Sequence, residues 1–248
     1  MVFETLKLTE EDEVATITLS NGSGNFINTK MISDLTSVCD HLEDHSDAKT
    51  VIITGANGCF SEGVDFRDFH PDKPMDIHGF NKWEKICRRL ENLPMSTIAM
   101  VNGPAIGGGF QMALVCDLRI CTENTTLQLP EAHLGFIPGM ASFRLAKYVG
   151  LGHAKRIIIT CAKIGHIEAK ELGIIDHIAD SSASGIAWAL DSLGPNHSVA
   201  VTLTRRLLNE SFTDAWEDAV GHFLAAQHRS ISQTAFLETI RKETGDDS

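Results

Sequence analysis

Apolar and polar positions follow two periodicities in the first half of the chain. Residues 13–22 alternate β-branched and polar side chains up to a turn, which predicts a strand. Residues 50–56 and 96–103 contain nearly continuous apolar runs, as in strands that are buried on both faces of a sheet. Apolar residues recur at helical spacing in 28–44 and 80–90. This order of strands and helices predicts an α/β domain with a largely parallel sheet.

The pattern changes along the second half of the chain. From about residue 141 onward helical periodicity dominates to the end. We therefore divide the chain into an α/β core, residues 1–190, and a C-terminal helical region, residues 191–248. The further elements predicted are a helix at 110–117, strands at 118–122 and 126–130, a helix in 167–178 closed by Gly173, and helices at 198–210, 215–229 and 235–243.

Composition and charge narrow the classes of function. The chain has 248 residues, of which 43% are hydrophobic, enough for a substantial core. Its net charge of -12 disfavours a nucleic-acid partner, because phosphate binding needs clustered Lys and Arg, but it leaves room for an anionic small ligand. The N-terminus is acidic, unlike a signal peptide, and no apolar run reaches the roughly 18–20 residues of a membrane span. We therefore expect a cytoplasmic protein without a membrane partner.

The cysteines and histidines do not indicate a metal site. The six cysteines lie mostly in apolar runs and never form a CxxC pair, which favours reduced, buried side chains over a disulfide or zinc framework. His41 and His45 are four residues apart, but they lie on the polar face of their predicted helix. We expect no metal.

Three consecutive glycines, 107–109, separate a predicted buried strand from a predicted helix. They match neither the dinucleotide fingerprint nor the phosphate-loop motif. Two interpretations remain: a tight turn or close helix–strand contact, or a backbone N–H that is presented to a polarised carbonyl oxygen. A second loop, around Gly63, follows the other buried strand. Two donors from different loops are what an oxyanion hole requires.

Two polar residues near these loops are candidate catalytic residues. Glu131 follows Pro130 at the end of a predicted strand, and it is either a general acid/base with a raised pKa or a first-turn helix acid. Gln111 lies two residues after the last glycine. Its amide forms hydrogen bonds but takes no proton at ordinary pH.

The segments "CFSEGVDFRDF", "VNGPAIGGGFQMALVCDLRI" and "LPEAHLGFIPG", in this order, resemble the enoyl-CoA hydratase/isomerase family, also called the crotonase family. Residues 150–178 match the pattern of that family downstream of its active site. The resemblance implies a ββα spiral core followed by helices that build a homotrimer, often paired into a hexamer. It also implies an acyl thioester substrate, carried by coenzyme A or by an acyl carrier protein, and no permanently bound cofactor.

The resemblance also assigns roles to residues of the glycine loops. The two oxyanion-hole N–H groups would belong to Val64, directly after Gly63, and to Gly108. Asp65 matches a motif acid with a structural role, and Arg67 matches the basic position that contacts the phosphates of coenzyme A.

The expected reaction depends on a departure from the family pattern. Hydratases of the family use two glutamates; Glu131 matches the one that moves the proton, whereas Gln111 replaces the one that holds water. With one carboxylate removed, we expect isomerisation of an enoyl thioester, with Glu131 as the sole acid/base. The next interpretation is a lyase that catalyses decarboxylation or makes or breaks C–C bonds in a biosynthetic pathway. Hydration and a non-catalytic family member follow, and the retained Glu131 argues against the latter.

Overall fold

The computed structural model describes residues 1–69, 77–194 and 198–245. The strands are β1 (Leu6–Glu11), β2 (Val14–Leu19), β3 (Thr50–Gly55), β4 (Ser96–Val101), β5 (Ala105–Ile106), β6 (Leu118–Thr122), β7 (Thr126–Gln128), β8 (Ile164–Gly165) and β9 (His177–Ala179). The helices are α1 (Thr29–Asp44), α2 (Ile77–Glu91), α3 (Gly108–Leu114), α4 (Ala141–Ile159), α5 (His166–Glu171), α6 (Ser182–Leu193), α7 (Ser198–Glu210), α8 (Trp216–Ile231) and α9 (Thr234–Thr244).

The strands form two sheets. The larger has the order β1-β2-β3-β4-β6-β9, and all neighbours are parallel except the antiparallel pair β1 and β2. The smaller has the order β5-β7-β8, in which β5 and β7 are parallel. The predicted α/β core with a largely parallel sheet is confirmed.

The central strands are buried on both faces, as predicted from their continuous apolar runs. Val51 and Ile53 of β3 belong to the cluster that includes the inner faces of α1 and α2. Ile52 and its neighbour Ile98 of β4 point the other way and belong to the cluster with Ala189 of α6. Because successive side chains of a strand alternate between faces, helices on both sides are needed to cover these residues.

Strand β1 was not predicted from the sequence. Strand β1 pairs with β2 and buries only Leu6 and Leu8, while Lys7, Glu10 and Glu11 face outward or lie at the end. Two apolar positions in an acidic stretch are too short a pattern to predict a strand. The pairing with β2 supplies the stabilisation that the local sequence lacks.

The C-terminal helices are present where the apolar stripes predicted them. Arg205 of α7 joins them to the core: its guanidinium donates to both carboxylate oxygens of Asp117, at 2.6 and 2.7 Å, and to the Met95 carbonyl at 2.7 Å. The boundary placed at residue 190 falls within α6, and the division into two regions stays a prediction. Among the described residues, no helix is long and apolar enough to cross a membrane.

The cysteine prediction is confirmed. All six cysteines are buried and none is in a disulfide. Burial raises the pKa of the Cys39 and Cys116 thiols to about 12, so the two thiols stay protonated at neutral pH.

Candidate active site

The loops that follow β3 and β4 run side by side and are joined by backbone hydrogen bonds. The N–H groups of Phe60 and Ser61 donate to the carbonyl of Pro104 at 3.1 and 3.0 Å. In return, the Ile106 N–H donates to the Ser61 carbonyl at 2.8 Å. The sequence placed both glycine loops at the carboxyl ends of parallel strands, and the structure shows that they meet there.

Gly63 is the point of closest approach between these loops. Its φ is +83°, a conformation that L side chains rarely adopt. A Cβ at this position would lie 2.6 Å from the Ile106 carbonyl oxygen and 3.2 Å from the Gly108 nitrogen. A side chain would therefore push the loops apart, and its absence leaves Val64 beside the start of α3.

Two main-chain N–H groups are available at this edge of the sheet. The Ile27 N–H donates to the Gly63 carbonyl at 2.8 Å, and Ile27 accepts from the Asp65 N–H at 2.9 Å, so the N–H of Val64 points away from this pairing. Gly108 is the first residue of α3, where N–H groups have no acceptor within the helix. Within the described part of the chain, neither N–H donates to a loop or side-chain acceptor.

The smaller sheet brings Glu131 to the same place. The Gly107 N–H donates to the Gln128 carbonyl at 2.8 Å, and Glu131 begins a short 3₁₀ turn three residues after Gln128. The carboxyl group lies against Gly107, where a Cβ would be 2.7 Å from Glu131 Oε1. Gly107 itself has a φ of +53°, so both the backbone and the carboxyl group require glycine here.

The carboxyl group of Glu131 is buried and incompletely hydrogen-bonded. The residue is 5% exposed, and its Oε2 has no hydrogen-bond partner among the described residues. Burial raises the pKa of this carboxyl above its ordinary value, because removal from water disfavours the charged form. A first-turn acid that only faces solvent would be neither buried nor perturbed in this way. Glu131 thus has the burial and the raised pKa expected of a general acid/base.

Gln111 lies one turn into α3 and is also buried. Its Oε1 accepts a hydrogen bond from the indole nitrogen of Trp83 at 3.2 Å. Its Nε2 donates to Glu84 Oε2 at 2.6 Å. Both ends of the amide therefore have partners on α2.

The two α2 partners of Gln111 could not be identified from the sequence. Trp83 belongs to the apolar stripe of its helix, and it is 93% buried. The sequence pattern therefore predicts a core residue and does not reveal the hydrogen bond to Gln111. Glu84 is one charged residue among several on that helix. Only the packing of α2 against α3 reveals their contact with the amide.

Asp65 and Arg67 form an ion pair next to the loop of Val64. Arg67 donates from Nε and Nη2 to the two oxygens of Asp65 at 2.8 and 2.7 Å, and its backbone N–H donates to Asp65 as well. These hydrogen bonds hold the pKa of the Asp65 carboxyl below its usual range. Asp65 is buried, while the Arg67 side chain is 78% exposed. The structure therefore places Arg67 at the surface, on the rim of the loop.

A group of aromatic rings also lies near the candidate site and was not predicted as a unit. Adjacent ring centroids are 6.0–6.4 Å apart in a cluster made by Phe66, Phe69, Phe80 and Phe136. The rings come from three segments: the loop after Val64, the first turns of α2 and the chain after the Glu131 turn. Their separation in sequence hides the cluster until the fold joins the segments.

Residues 9–239 match the family model described as enoyl-CoA hydratase/isomerase. The chain belongs to this family. The match extends from β1 to α9 and includes both glycine loops, Gln111 and Glu131. The family resemblance stated from the sequence is confirmed.

Comparison with individual proteins also supports membership of this family. The short-chain-enoyl-CoA hydratase of Clostridium acetobutylicum is 32% identical over 247 residues, 93% of this chain and 94% of that protein. The crystal structure of an enoyl-CoA hydratase from Bacillus anthracis has a TM-score of 0.91 at 24% identity, covering 98% and 96% of the two chains. A putative enoyl-CoA hydratase from Thermobifida fusca, in complex with CoA, has a TM-score of 0.83 at 26% identity, covering 93% and 94%. The crotonase fold is confirmed.

Proposed function

We propose that this member of the family isomerises an enoyl-CoA, with Glu131 as its only acid/base. The observation that carries the proposal is the contrast between two buried side chains. Glu131 has a raised pKa and a carboxylate oxygen that has no partner in the described part of the chain, whereas Gln111 is an amide held by Trp83 and Glu84. One proton-transferring group is enough to shift a double bond, because the proton that is removed can be returned elsewhere on the same substrate.

The reaction follows from this arrangement. The thioester oxygen of a 3-enoyl substrate accepts hydrogen bonds from the N–H groups of Val64 and Gly108. The Glu131 carboxylate removes a proton from C2, and the C–H electron pair moves toward the thioester oxygen as a dienolate forms. Glu131 then returns the proton to C4 while the double bond forms between C2 and C3. Neither water nor an oxidant is consumed, and each fixed donor contributes on the order of 10²–10³-fold to the rate.

Coenzyme A binding is proposed for the surface next to Val64. The exposed guanidinium of Arg67 is available to the phosphate groups of the ligand, and the buried Asp65 fixes its position. Arg–phosphate contacts are charge-assisted and often bidentate, which suits this geometry. The Thermobifida structure in complex with CoA supports coenzyme A as the thioester carrier. An acyl-carrier-protein substrate is the alternative.

The proposal is tested by comparing three thioesters under one set of conditions. We expect the protein to convert 3-enoyl-CoA to 2-enoyl-CoA faster than it hydrates crotonyl-CoA, with no decarboxylation of malonyl-CoA. Chromatographic separation of the products distinguishes the reactions. Faster loss of malonyl-CoA would replace isomerisation by lyase chemistry. No turnover of any of the three, with CoA binding intact, would favour a carrier-protein substrate or a non-catalytic role.

Hydration is the second candidate, because the Clostridium relative at 32% identity is named a short-chain-enoyl-CoA hydratase. In that case the Gln111 amide would hold the water that Glu131 activates. Hydration of crotonyl-CoA at a rate above that of 3-enoyl isomerisation would support this candidate over the first.

A further inference from the structure

The amide of Gln111 is held in one orientation by two consecutive residues of α2. The Trp83 indole donates to Oε1, and the Glu84 carboxylate accepts from Nε2. Trp83 can only donate and an ionised carboxylate can only accept. A Gln111 amide rotated by 180° would place N–H against N–H and oxygen against oxygen. The two contacts therefore exclude the flipped amide.

Glu84 is itself fixed by a residue from another helix. Its Oε1 lies 2.7 Å from Nη2 of Arg144 on α4, and the Arg144 side chain is 9% exposed. Arg144 is also held by Glu91, two turns further along α2, through contacts of 3.2 and 2.9 Å. The Arg144 charge thus has a second partner that does not touch Gln111. What distinguishes Glu84 from Glu91 is its other oxygen, which bonds the amide.

We propose that Glu84 is a positioning residue that holds the Gln111 amide in its reactive orientation. The proposal rests on the proposed function and adds to it that the Gln111 amide contacts the acyl thioester. An amide has two N–H groups and two oxygen lone pairs. With Trp83 and Glu84 in place, one N–H and one lone pair remain to bind the substrate. Glu84 and Gln111 act together: the carboxylate fixes the amide, and the amide binds the substrate.

The position of Trp83 extends this role to the oxyanion hole. A Cβ at Gly108 would lie 3.6 Å from the Trp83 ring, so the indole packs against the first residue of α3. Trp83 therefore contacts both the amide and the helix start that carries a proposed oxyanion donor, whereas Glu84, the next residue of α2, contacts the amide. A shift of α2 would move both groups together.

The experiment compares matched substitutions at Glu84 and Glu91 in the full-length protein. We expect Glu84→Ala to lower kcat about tenfold with little change in KM, because an unfixed amide misplaces the substrate without removing its binding contacts. Glu91→Ala removes a partner of the same arginine and should leave kcat near that of the wild type. Glu84→Gln keeps an acceptor oxygen and should restore most of kcat. Equal losses of kcat in Glu84→Ala and Glu91→Ala would overturn the proposal.

A second measurement keeps this proposal separate from the proposed function. Side-chain amide hydrogen exchange at Gln111, assigned by the loss of its NMR signal in Gln111→Leu, reports the hydrogen bond without any substrate. We expect exchange about tenfold faster in Glu84→Ala and unchanged in Glu91→Ala. If the wild type converts no enoyl thioester but this difference is found, the proposed reaction fails and the positioning stands. Identical exchange in the two variants would overturn the positioning.

Discussion

Glu131 combines two opposing properties in one side chain. Its burial beside Gly107 raises the pKa of the carboxyl, the direction in which enzymes adjust a glutamate that transfers protons. The same burial leaves Oε2 without a partner among residues 1–69, 77–194 and 198–245, and an unsatisfied buried oxygen destabilises the folded state. The residue that we propose for catalysis is therefore one that the fold would be more stable without.

Glu131→Gln should stabilise the protein while it removes turnover. The folded-state pKa is raised, so the buried carboxyl binds its proton more tightly than in the unfolded chain, and its ionisation disfavours the folded state. The stability advantage of Glu131→Gln should be absent below the unfolded pKa and should grow as the pH rises through the folded pKa. Thermal unfolding of both proteins from pH 4 to pH 8 measures this. Turnover should fall by about 10²–10⁴-fold; full activity in this variant would exclude the proposed role.

The raised pKa of Glu131 should also set how the rate of the wild-type reaction depends on pH. Glu131 must be ionised to take the proton from C2, so kcat/KM should decline as the pH falls through the pKa of this carboxyl. Because burial raises that pKa, the midpoint should lie above the ordinary range of a glutamate. Initial rates at fixed ionic strength give this midpoint. A midpoint at or below the ordinary glutamate value would contradict the assignment.

An exchange of acid and amide between positions 84 and 111 should reveal how the pair controls the reaction. Gln111→Glu alone would place a second carboxylate where Nε2 now lies 2.6 Å from Glu84, so one of the two carboxyls would bind a proton. The double variant Gln111→Glu with Glu84→Gln keeps one carboxylate in the pair. We expect more hydration of crotonyl-CoA from the double variant than from Gln111→Glu. Equal hydration rates would mean that Glu84 does not limit catalysis by the glutamate introduced at position 111.

At the scale of helices and strands, predictability followed the strength of the local pattern. Strands β3 and β4 contain continuous apolar runs, residues 51–53 and 98–101, and were predicted from these runs. Strand β1 has only two buried apolar residues, and its partner β2 determines its structure. The C-terminal end of α5 was predictable because Gly173, which follows the helix, can take the positive φ observed there.

The candidate site was predictable in its motifs but not in its supporting contacts. Both glycine loops and Glu131 belong to short motifs, so the sequence could identify them. Their convergence depends on hydrogen bonds between separate loops, such as that from the Ile106 N–H to the Ser61 carbonyl. The contacts of Glu84 depend on how three helices pack. Such contacts are set by tertiary structure, and no local periodicity encodes them.

The ion pair of Arg205 should measure how strongly the C-terminal helices are joined to the core. Arg205→Leu would remove the positive partner of Asp117 and leave that carboxylate with its hydrogen bonds from Thr97. We expect the free energy of unfolding to fall by about 2 kcal/mol, between the values for exposed and buried pairs. Arg206 is the matched control, because this neighbour on α7 pairs only with Glu210 among the described residues and is 60% exposed. Urea unfolding checks both variants. An equal effect at Arg206 would assign the loss to the helix rather than to the ion pair.

The surface of the whole molecule is not that of a typical monomer. Large apolar side chains are exposed along α8 and α9, including Trp216, Phe223, Leu224, Phe236 and Ile240. Extended exposed apolar surface marks an interface with another protein molecule. The expected homotrimer, or a hexamer made from two trimers, would cover these residues.

Assembly is tested on one face of α8. Trp216 and Phe223 are seven residues apart and lie on the same side of the helix. We expect light scattering to give the mass of a trimer or hexamer for the wild type. Trp216→Glu combined with Phe223→Glu should give monomers, whereas Asp218→Lys, a charge change on the opposite side of the same helix, should not. A monomeric wild type would refute the prediction.

The backbone origin of the two proposed donors has a consequence for mutational tolerance. No substitution at Val64 deletes its N–H, apart from proline, so this position can vary in size and polarity while the donor remains. Gly63 has no such freedom, because any Cβ would meet the Ile106 carbonyl oxygen. Natural selection on this activity would therefore act most strictly one residue before the donor, at a glycine whose own N–H is bonded to Ser61 rather than to the substrate.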